Sequence, residues 1–557
     1  MKKKTIPALV LAVMLSVFGI FALSGCGSEE EADTADLENV EVMTGNGNMI
    51  GVLENDVASF KGVPYAKSPT GELRWKRAEA PDPSTEDVDA TEYGKAALQT
   101  VWHSEEASFN EQSEDCLTLN IWTKSANDAD AKKPVMVFVH GGAYGWGGSS
   151  DPIYDGQNFA EANGDDVILV TVNYRVNMMG FIDFSSVPGG EEYADAPWLG
   201  LYDNIRALEW VQENIEAFGG DPGNVTIFGE SAGGGIVSLL PLMDEAQGLF
   251  QKVIAESGSV YLTSSKEDCQ LLTELIMEKT GAENMDDLIA LSEDEIKDLV
   301  TYTLDYEDEE LGIYGGVYNS PMRDGTVLPE TVQELCGAYA QSPASDIIYM
   351  TGTNANEYNY WLGEMTGKDE PGALPTDEDY EYFYYSYEDL LDGIIAEDET
   401  GDMKTFKKLL KQRGIKEKIW QSVEYINETY FRIPAITEAE NHAGATYMYY
   451  WKHPSSIDDY GACHAVELSY VFNNLQDTAF TGDNPDEELA KKVQQAWVSF
   501  AKTGVPTVEG EPEWPEYNKD TRATMIINDT SENEHWTVEN DPLGEERAIF
   551  QKRLAAE

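Results

Sequence analysis

The sequence predicts an α/β fold with a mostly parallel central sheet and helices on both faces. Three observations predict it. Short apolar runs of strand length recur along the chain. Longer stretches with helical periodicity separate them. One run passes through a glycine-flanked turn into a helix, at Gly229-Glu230-Ser231-Ala232-Gly233. Strands joined by helical crossovers line up in parallel, and the helices then cover both faces of the sheet.

The runs at 135–140, 167–174, 225–228, 253–255, 347–351 and 446–451 are rich in Val, Ile, Tyr and Phe. Short runs of this composition suit strands buried on both faces. Residues 203–218 read as a helix, because Ile205, Leu208, Val211, Ile215 and Phe218 recur at three- and four-residue steps and form one apolar face. Gly219-Gly220-Asp221-Pro222 is its stop signal. Residues 363–392 are crowded with Asp, Glu and Tyr. They read as an insertion over the C-terminal edge of the sheet, either a substrate lid or a solvated surface helix.

Of the 557 residues, 42% are hydrophobic and 11% aromatic, enough for a well-packed core. Large α/β folds often run as one unit, so this length does not force a split. The formal net charge of -65 repels nucleic acid and anionic membrane surfaces and suits solubility in an external medium. The chain begins with Lys2, Lys3 and Lys4, then an apolar run over 6–23, then Leu23-Ser24-Gly25-Cys26 and an acidic stretch. This is an export pattern. Its end resembles the bacterial lipoprotein box, in which the cysteine is lipidated and becomes the new N-terminus; the alternative is an uncleaved membrane helix. The expected organisation is a lipoprotein-type signal peptide over 1–25, a flexible acidic linker over 26–39 beginning at lipidated Cys26, and the catalytic domain over 40–557. The expected location is the bacterial cell surface, anchored to the membrane by lipid. Cys116, Cys269, Cys336 and Cys463 are widely and irregularly spaced, which predicts buried single thiols rather than a disulfide framework or a zinc site.

The strand at 225–228 runs into Gly229, and a helical stretch follows Gly233. Strand, tight turn and helix make a nucleophile elbow that projects the Ser231 hydroxyl, with the positive end of the helix behind it. The strand at 135–140 ends in His140-Gly141-Gly142-Ala143-Tyr144, which resembles the glycine-rich oxyanion loop of esterases. Gly142, Ala143 and Ala232 would supply three backbone donors, each worth about 3 kcal/mol of barrier. Among His103, His140, His442, His453, His464 and His535, the general base should follow both serine and acid. His140 belongs to the oxyanion loop, His103 precedes it, and His453 ends an apolar strand. His442 and His535 sit in helix-like or tail sequence, which leaves His464, in a loop where a mobile, solvent-reachable base is expected. With Asn356-Glu357 between them, serine, carboxylate and histidine follow the chain order of α/β-hydrolases.

Further motifs carry a closer resemblance. They include Phe60-Lys61-Gly62-Val63-Pro64-Tyr65-Ala66, Leu73-Arg74-Trp75, Glu114-Asp115-Cys116-Leu117-Thr118-Leu119-Asn120-Ile121, Asn173-Tyr174-Arg175-Val176 and Phe218-Gly219-Gly220-Asp221-Pro222. Asp324-Gly325, Leu328-Pro329 and Trp514-Pro515 also fit. Together they resemble the type-B carboxylesterase family, the cholinesterase-like branch of the α/β-hydrolases, from about Val40 to Tyr517. The resemblance implies Glu357 as the triad acid and Ser257 as a serine that hydrogen-bonds near the triad. Three positions depart from it. The usual Asp-Glu-Gly reads Asn356-Glu357-Tyr358, which is expected to alter that loop. Cys116 matches half of a family disulfide whose partner is missing from Ala96-Ala97-Leu98-Gln99. Pro197-Trp198 replaces Gly-Asn, which changes the packing expected there.

These readings predict a serine carboxylesterase that needs no metal or cofactor and acts on small-molecule esters through an acyl-enzyme. The alternatives are a catalytically silent surface binding or adhesion protein, against which the complete triad argues, and a hydrolase acting mainly on amides or thioesters. Tyr358, Tyr360 and Trp361 are candidates for an aromatic pocket that would take cationic, aryl or short-chain acyl esters. The negative field predicts a raised working pKa for His464, which added salt should relax.

Overall fold

The computed structural model describes residues 38–99, 111–306, 319–341, 343–364, 389–456, 460–476, 480–482, 484–527 and 535–554. The signal segment with Cys26 lies outside these residues, as does most of the acidic, tyrosine-rich insertion. In chain order the strands are β1 (Glu38–Thr44), β2 (Asn46–Glu54), β3 (Val57–Pro64), β4 (Ser84–Asp89), β5 (Thr118–Thr123), β6 (Lys133–Val139), β7 (Ile168–Val172), β8 (Gly220–Glu230), β9 (Lys252–Glu256), β10 (Ser264–Ser265), β11 (Met322–Arg323), β12 (Ile348–Asn354), β13 (Thr446–Trp451), β14 (Ala523–Ile527) and β15 (Thr537–Asn540). β10 and β11 pair separately. The others form one sheet in the order β1-β2-β3-β5-β7-β6-β8-β9-β12-β13-β14-β15, with β4 beside β2. From β7 to β14 every neighbouring pair is parallel. β1, β2, β3, β5 and β7 pair antiparallel on one side, and β15 on the other.

The runs are predominantly apolar, rather than alternating, because the sheet is buried on both faces. Successive side chains on a strand point to opposite faces. On β6, Val135, Val137 and Val139 join the core layer containing Ile205 and Leu208, while Met136 and Phe138 join the layer containing Phe472 and Trp497. Phe138 packs edge-on against Phe472 at 4.9 Å.

The predicted helix is present as Leu199–Asn214 followed by a 3₁₀ turn, Ile215–Phe218. It starts earlier than its apolar face suggests, because a turn at Ala196–Trp198 containing Pro197 runs straight into it. Trp198 is buried, and its indole donates to the Met322 carbonyl at 2.7 Å. The stop is at Gly219, whose φ of 89° is left-handed. A Cβ there would lie 2.5 Å from Ser125 Cβ.

Several motif residues serve structure rather than chemistry. Arg74 makes a buried two-pronged pair with Glu114, both contacts at 2.6 Å. Arg175 does the same with Asp203 at 2.8 and 2.6 Å. Cys116, Cys269, Cys336 and Cys463 are free and buried, as expected.

Candidate active site

The elbow forms where β8 passes directly into the helix Ala232–Leu239. Ser231 takes φ 57° and ψ −122°, a strained conformation for a side-chain-bearing residue. The flanking glycines are required by close approach. A Cβ on Gly229 would sit 2.7 Å from the Val139 carbonyl oxygen, and one on Gly233 only 2.0 Å from the same atom. The strain therefore falls on the serine itself, and the glycines let the strand end and the helix start pack together. The Ser231 amide donates to the Glu256 carbonyl at 2.9 Å, tying the turn to the neighbouring strand.

The loop after β6 lies against this turn. A Cβ on Gly141 would meet the Glu230 carbonyl oxygen at 2.8 Å and Ser231 Cβ at 3.0 Å. Gly142, Ala143 and Tyr144 all have positive φ, at 105°, 50° and 58°. The Gly142 carbonyl is turned inward, accepting from the Gly145 and Trp146 amides at 2.9 and 3.0 Å. Gly142 and Ala143 are half-buried beside the elbow. His140 is stacked on Tyr174 at 4.4 Å, and its Nδ1 lies 2.8 Å from the Gly141 carbonyl oxygen. Burial pulls its pKa down to about 4, which leaves it neutral.

Glu357 follows β12 and is wholly buried. Its Oε1 accepts from Ser257 Oγ and from the Asn354 amide, both at 2.6 Å. Its Oε2 lies 2.7 Å from His464 Nδ1. The backbones also meet, with the His464 amide donating to the Glu357 carbonyl at 3.1 Å. Asn356, where the family has Asp, joins the two loops: its amide donates to the Ala462 carbonyl at 2.9 Å and its side-chain oxygen accepts from the Ala462 amide at 3.2 Å. Tyr358, where the family has Gly, is buried against Trp361 at 5.2 Å, and its amide donates to Asn427 Oδ1 at 2.8 Å. The changed residues are thus absorbed by contacts of their own.

The expectation of a mobile, solvent-reachable base is corrected. His464 is only 4% exposed. Trp361 lies 4.8 Å from its ring and Phe431 5.0 Å, and the two aromatics stack on each other at 6.0 Å. Phe431 comes from a π-helical segment, Asn427–Arg432, far from His464 in sequence.

Glu230, inside the elbow motif but assigned no role from sequence, puts Oε1 3.0 Å from His464 Nε2. Burial lowers the His464 pKa, but Glu230 and Glu357 together outweigh it and hold it well above the usual histidine range. Burial in turn raises Glu230, which the imidazole pulls back down. Two more buried glutamates lie nearby. Glu467 accepts from Asn354 Nδ2 at 2.5 Å, and its pKa is raised by burial and then by Glu230 and Glu256. Glu256 accepts from the Trp497 indole at 2.7 Å. No short motif marks these side chains, because they come from separate segments. Among the described residues no group of His, Cys, Asp and Glu is arranged to hold a metal ion.

Comparison with known proteins matches the same frame. The family model described as the carboxylesterase family covers residues 38–544. Para-nitrobenzyl esterase of Bacillus subtilis (strain 168) is 36% identical over 518 residues, 91% of this chain and 97% of that protein. Liver carboxylesterase of Sus scrofa is 33% identical over 504 residues, 84% of this chain and 85% of that protein. The crystal structure of carboxylesterase EST55 of Geobacillus stearothermophilus superposes with a TM-score of 0.76 at 34% identity, covering 92% of this chain and 100% of that one. The chain belongs to the carboxylesterase family, has the α/β-hydrolase fold, and is a carboxylic ester hydrolase.

Proposed function

We propose that ester hydrolysis runs through Ser231, His464 and Glu357 by way of an acyl-enzyme. Ser231 Oγ attacks the ester carbonyl while His464 Nε2 takes its proton. The carbonyl oxygen becomes an oxyanion held by the Gly142, Ala143 and Ala232 amides. Collapse of the tetrahedral intermediate expels the alcohol, to which His464 returns the proton. Water, activated by the same imidazole, then releases the acid. Glu357 keeps the proton on Nδ1 and stabilises the imidazolium. The observation that carries this reading is the 2.7 Å contact between His464 Nδ1 and Glu357 Oε2, on a ring whose Nε2 lies 3.0 Å from Oε1 of Glu230, the residue before Ser231. Ser257 fixes the acid from its far side.

The aromatic wall of Trp361 and Phe431 beside His464 suits esters with an aryl or short acyl group. The named activity of the para-nitrobenzyl relative agrees with an aryl-bearing substrate. Hydrolysis of a panel of chromogenic esters graded in acyl length, by wild type beside Ser231→Ala, tests both points. Activity that disappears in the variant and falls with acyl length supports the reading. A variant as active as wild type overturns it. The same proposal places the enzyme outside the cell on a lipid at Cys26. Detergent-phase partitioning that is lost in Cys26→Ser supports the anchor; partitioning that persists overturns it.

A further inference from the structure

Beneath the Ser231 turn lies a carboxyl group that the proposed chemistry does not use. Glu256 ends β9 and pairs in register with Glu230 on β8. Its carbonyl receives the Ser231 amide. Its side chain is wholly buried, with Oε1 held by the Trp497 indole from the helix Glu487–Thr503. Oε2 has no hydrogen-bond partner. The ionisable groups that bear on it are Glu230 from β8, Glu467 after the His464 loop, Tyr449 from β13 and Tyr154 from the turn after the oxyanion loop. All are acidic. A carboxylate with an unsatisfied oxygen in so dry a place is far costlier than the neutral acid.

We propose that Glu256 is a positioning residue that works as a neutral acid, supporting the Ser231 turn while uncharged and suppressing catalysis once ionised. A negative charge here opposes the negative charge that ester attack creates. It also favours imidazolium over the neutral imidazole that must act as base, so both effects lower the rate. Burial pushes the Glu256 pKa up, the indole N–H pulls it back, and Glu230 pushes it up again, to about 8. The loss of activity therefore falls on the alkaline side of neutrality. This inference rests on the Ser231–His464–Glu357 reading.

The test is the pH dependence of kcat/KM from neutral to alkaline pH, with an infrared measurement on the same proteins. Wild type should show an alkaline fall that Glu256→Gln abolishes or moves upward by about one unit or more. Trp497→Phe removes the donor that favours the carboxylate, so it should move the fall upward by less. The double variant should move it no further than Glu256→Gln alone. A fall that stays in place in folded Glu256→Gln overturns the proposal. If that variant does not fold, Trp497→Phe decides: an upward move supports and an unmoved limb overturns. Difference infrared spectra at neutral pH should show a protonated-carboxyl band in wild type that Glu256→Gln lacks, and no such band overturns the proposal. The two readings fail separately. An active Ser231→Ala sinks the triad, while the Glu256 inference stands or falls on the infrared band and the alkaline limb.

Discussion

Glu357→Gln tests most sharply where the imidazole proton sits. Two donors, Ser257 Oγ and the Asn354 amide, converge on Glu357 Oε1 at 2.6 Å each, and Oε2 faces His464 Nδ1 at 2.7 Å. A glutamine must put its carbonyl oxygen where the two donors meet, since its NH₂ there would set donor against donor twice. The NH₂ then faces Nδ1, which has to accept rather than donate. The imidazole proton moves to Nε2, the atom that should take the serine proton. A triad locked in the wrong tautomer loses about 10⁴-fold in kcat, or about 5.5 kcal/mol of barrier. Stability should change by only about 1–2 kcal/mol, because the same number of hydrogen bonds is remade. The assay is kcat and KM on p-nitrophenyl acetate with active sites titrated, beside a thermal melt. The expected result is a collapse of kcat with KM changed by no more than a few-fold. A well-folded Glu357→Gln enzyme that keeps more than about a tenth of wild-type kcat would refute the reasoning.

Glu230→Gln removes one of the two charges that raise the His464 pKa, so the acid limb of the rate profile should move to lower pH by about one unit; a limb that stays or rises counts against the assignment. Both charges are buried, so salt should move the wild-type limb by less than about 0.3 unit, and a larger drift would return the effect to the surface field. Asp203→Ala strands the Arg175 guanidinium in the core and should cost about 3–5 kcal/mol in urea unfolding, where a loss below about 1 kcal/mol would mean the pair is dispensable. Gly233→Ala drives a methyl onto the Val139 carbonyl at 2.0 Å, and should lower kcat by at least about 100-fold or prevent folding; a variant with wild-type kinetics and melting would show that the elbow gives way.

What the sequence made legible was local. Ser231 announces itself because strand, glycine-flanked turn and helix are contiguous, and the runs that became β6, β7, β8, β9, β12 and β13 are predominantly apolar since both faces are buried. Glu357 could be named from motif resemblance, His464 by elimination among the histidines and Trp361 as an aromatic candidate, yet the rest of their setting could not. The rings that bury His464 come from positions 361 and 431, and the second stands in a π-helical segment with no chemical signature. Glu230 sat in the motif but had nothing in sequence to pair with, because its partner lies on a loop more than two hundred residues later. Net charge led to the expectation of a raised His464 pKa; the structure adds two adjacent buried carboxylates, Glu230 and Glu357, that raise it. Conversely, Arg74, Glu114 and Arg175 sit in conspicuous motifs and turn out to belong to buried ion pairs of the scaffold, Arg74 with Glu114 and Arg175 with Asp203.

The most direct test of the covalent mechanism is a stopped-flow reaction of the enzyme with p-nitrophenyl acetate, followed by acid quench and peptide mapping of the acetylated protein. A burst of one p-nitrophenol per active site, with the acetyl group on the peptide carrying Ser231 and neither burst nor label in Ser231→Ala, is the predicted result. A burst whose label maps to another residue, or a burst and label that persist in Ser231→Ala, would contradict it.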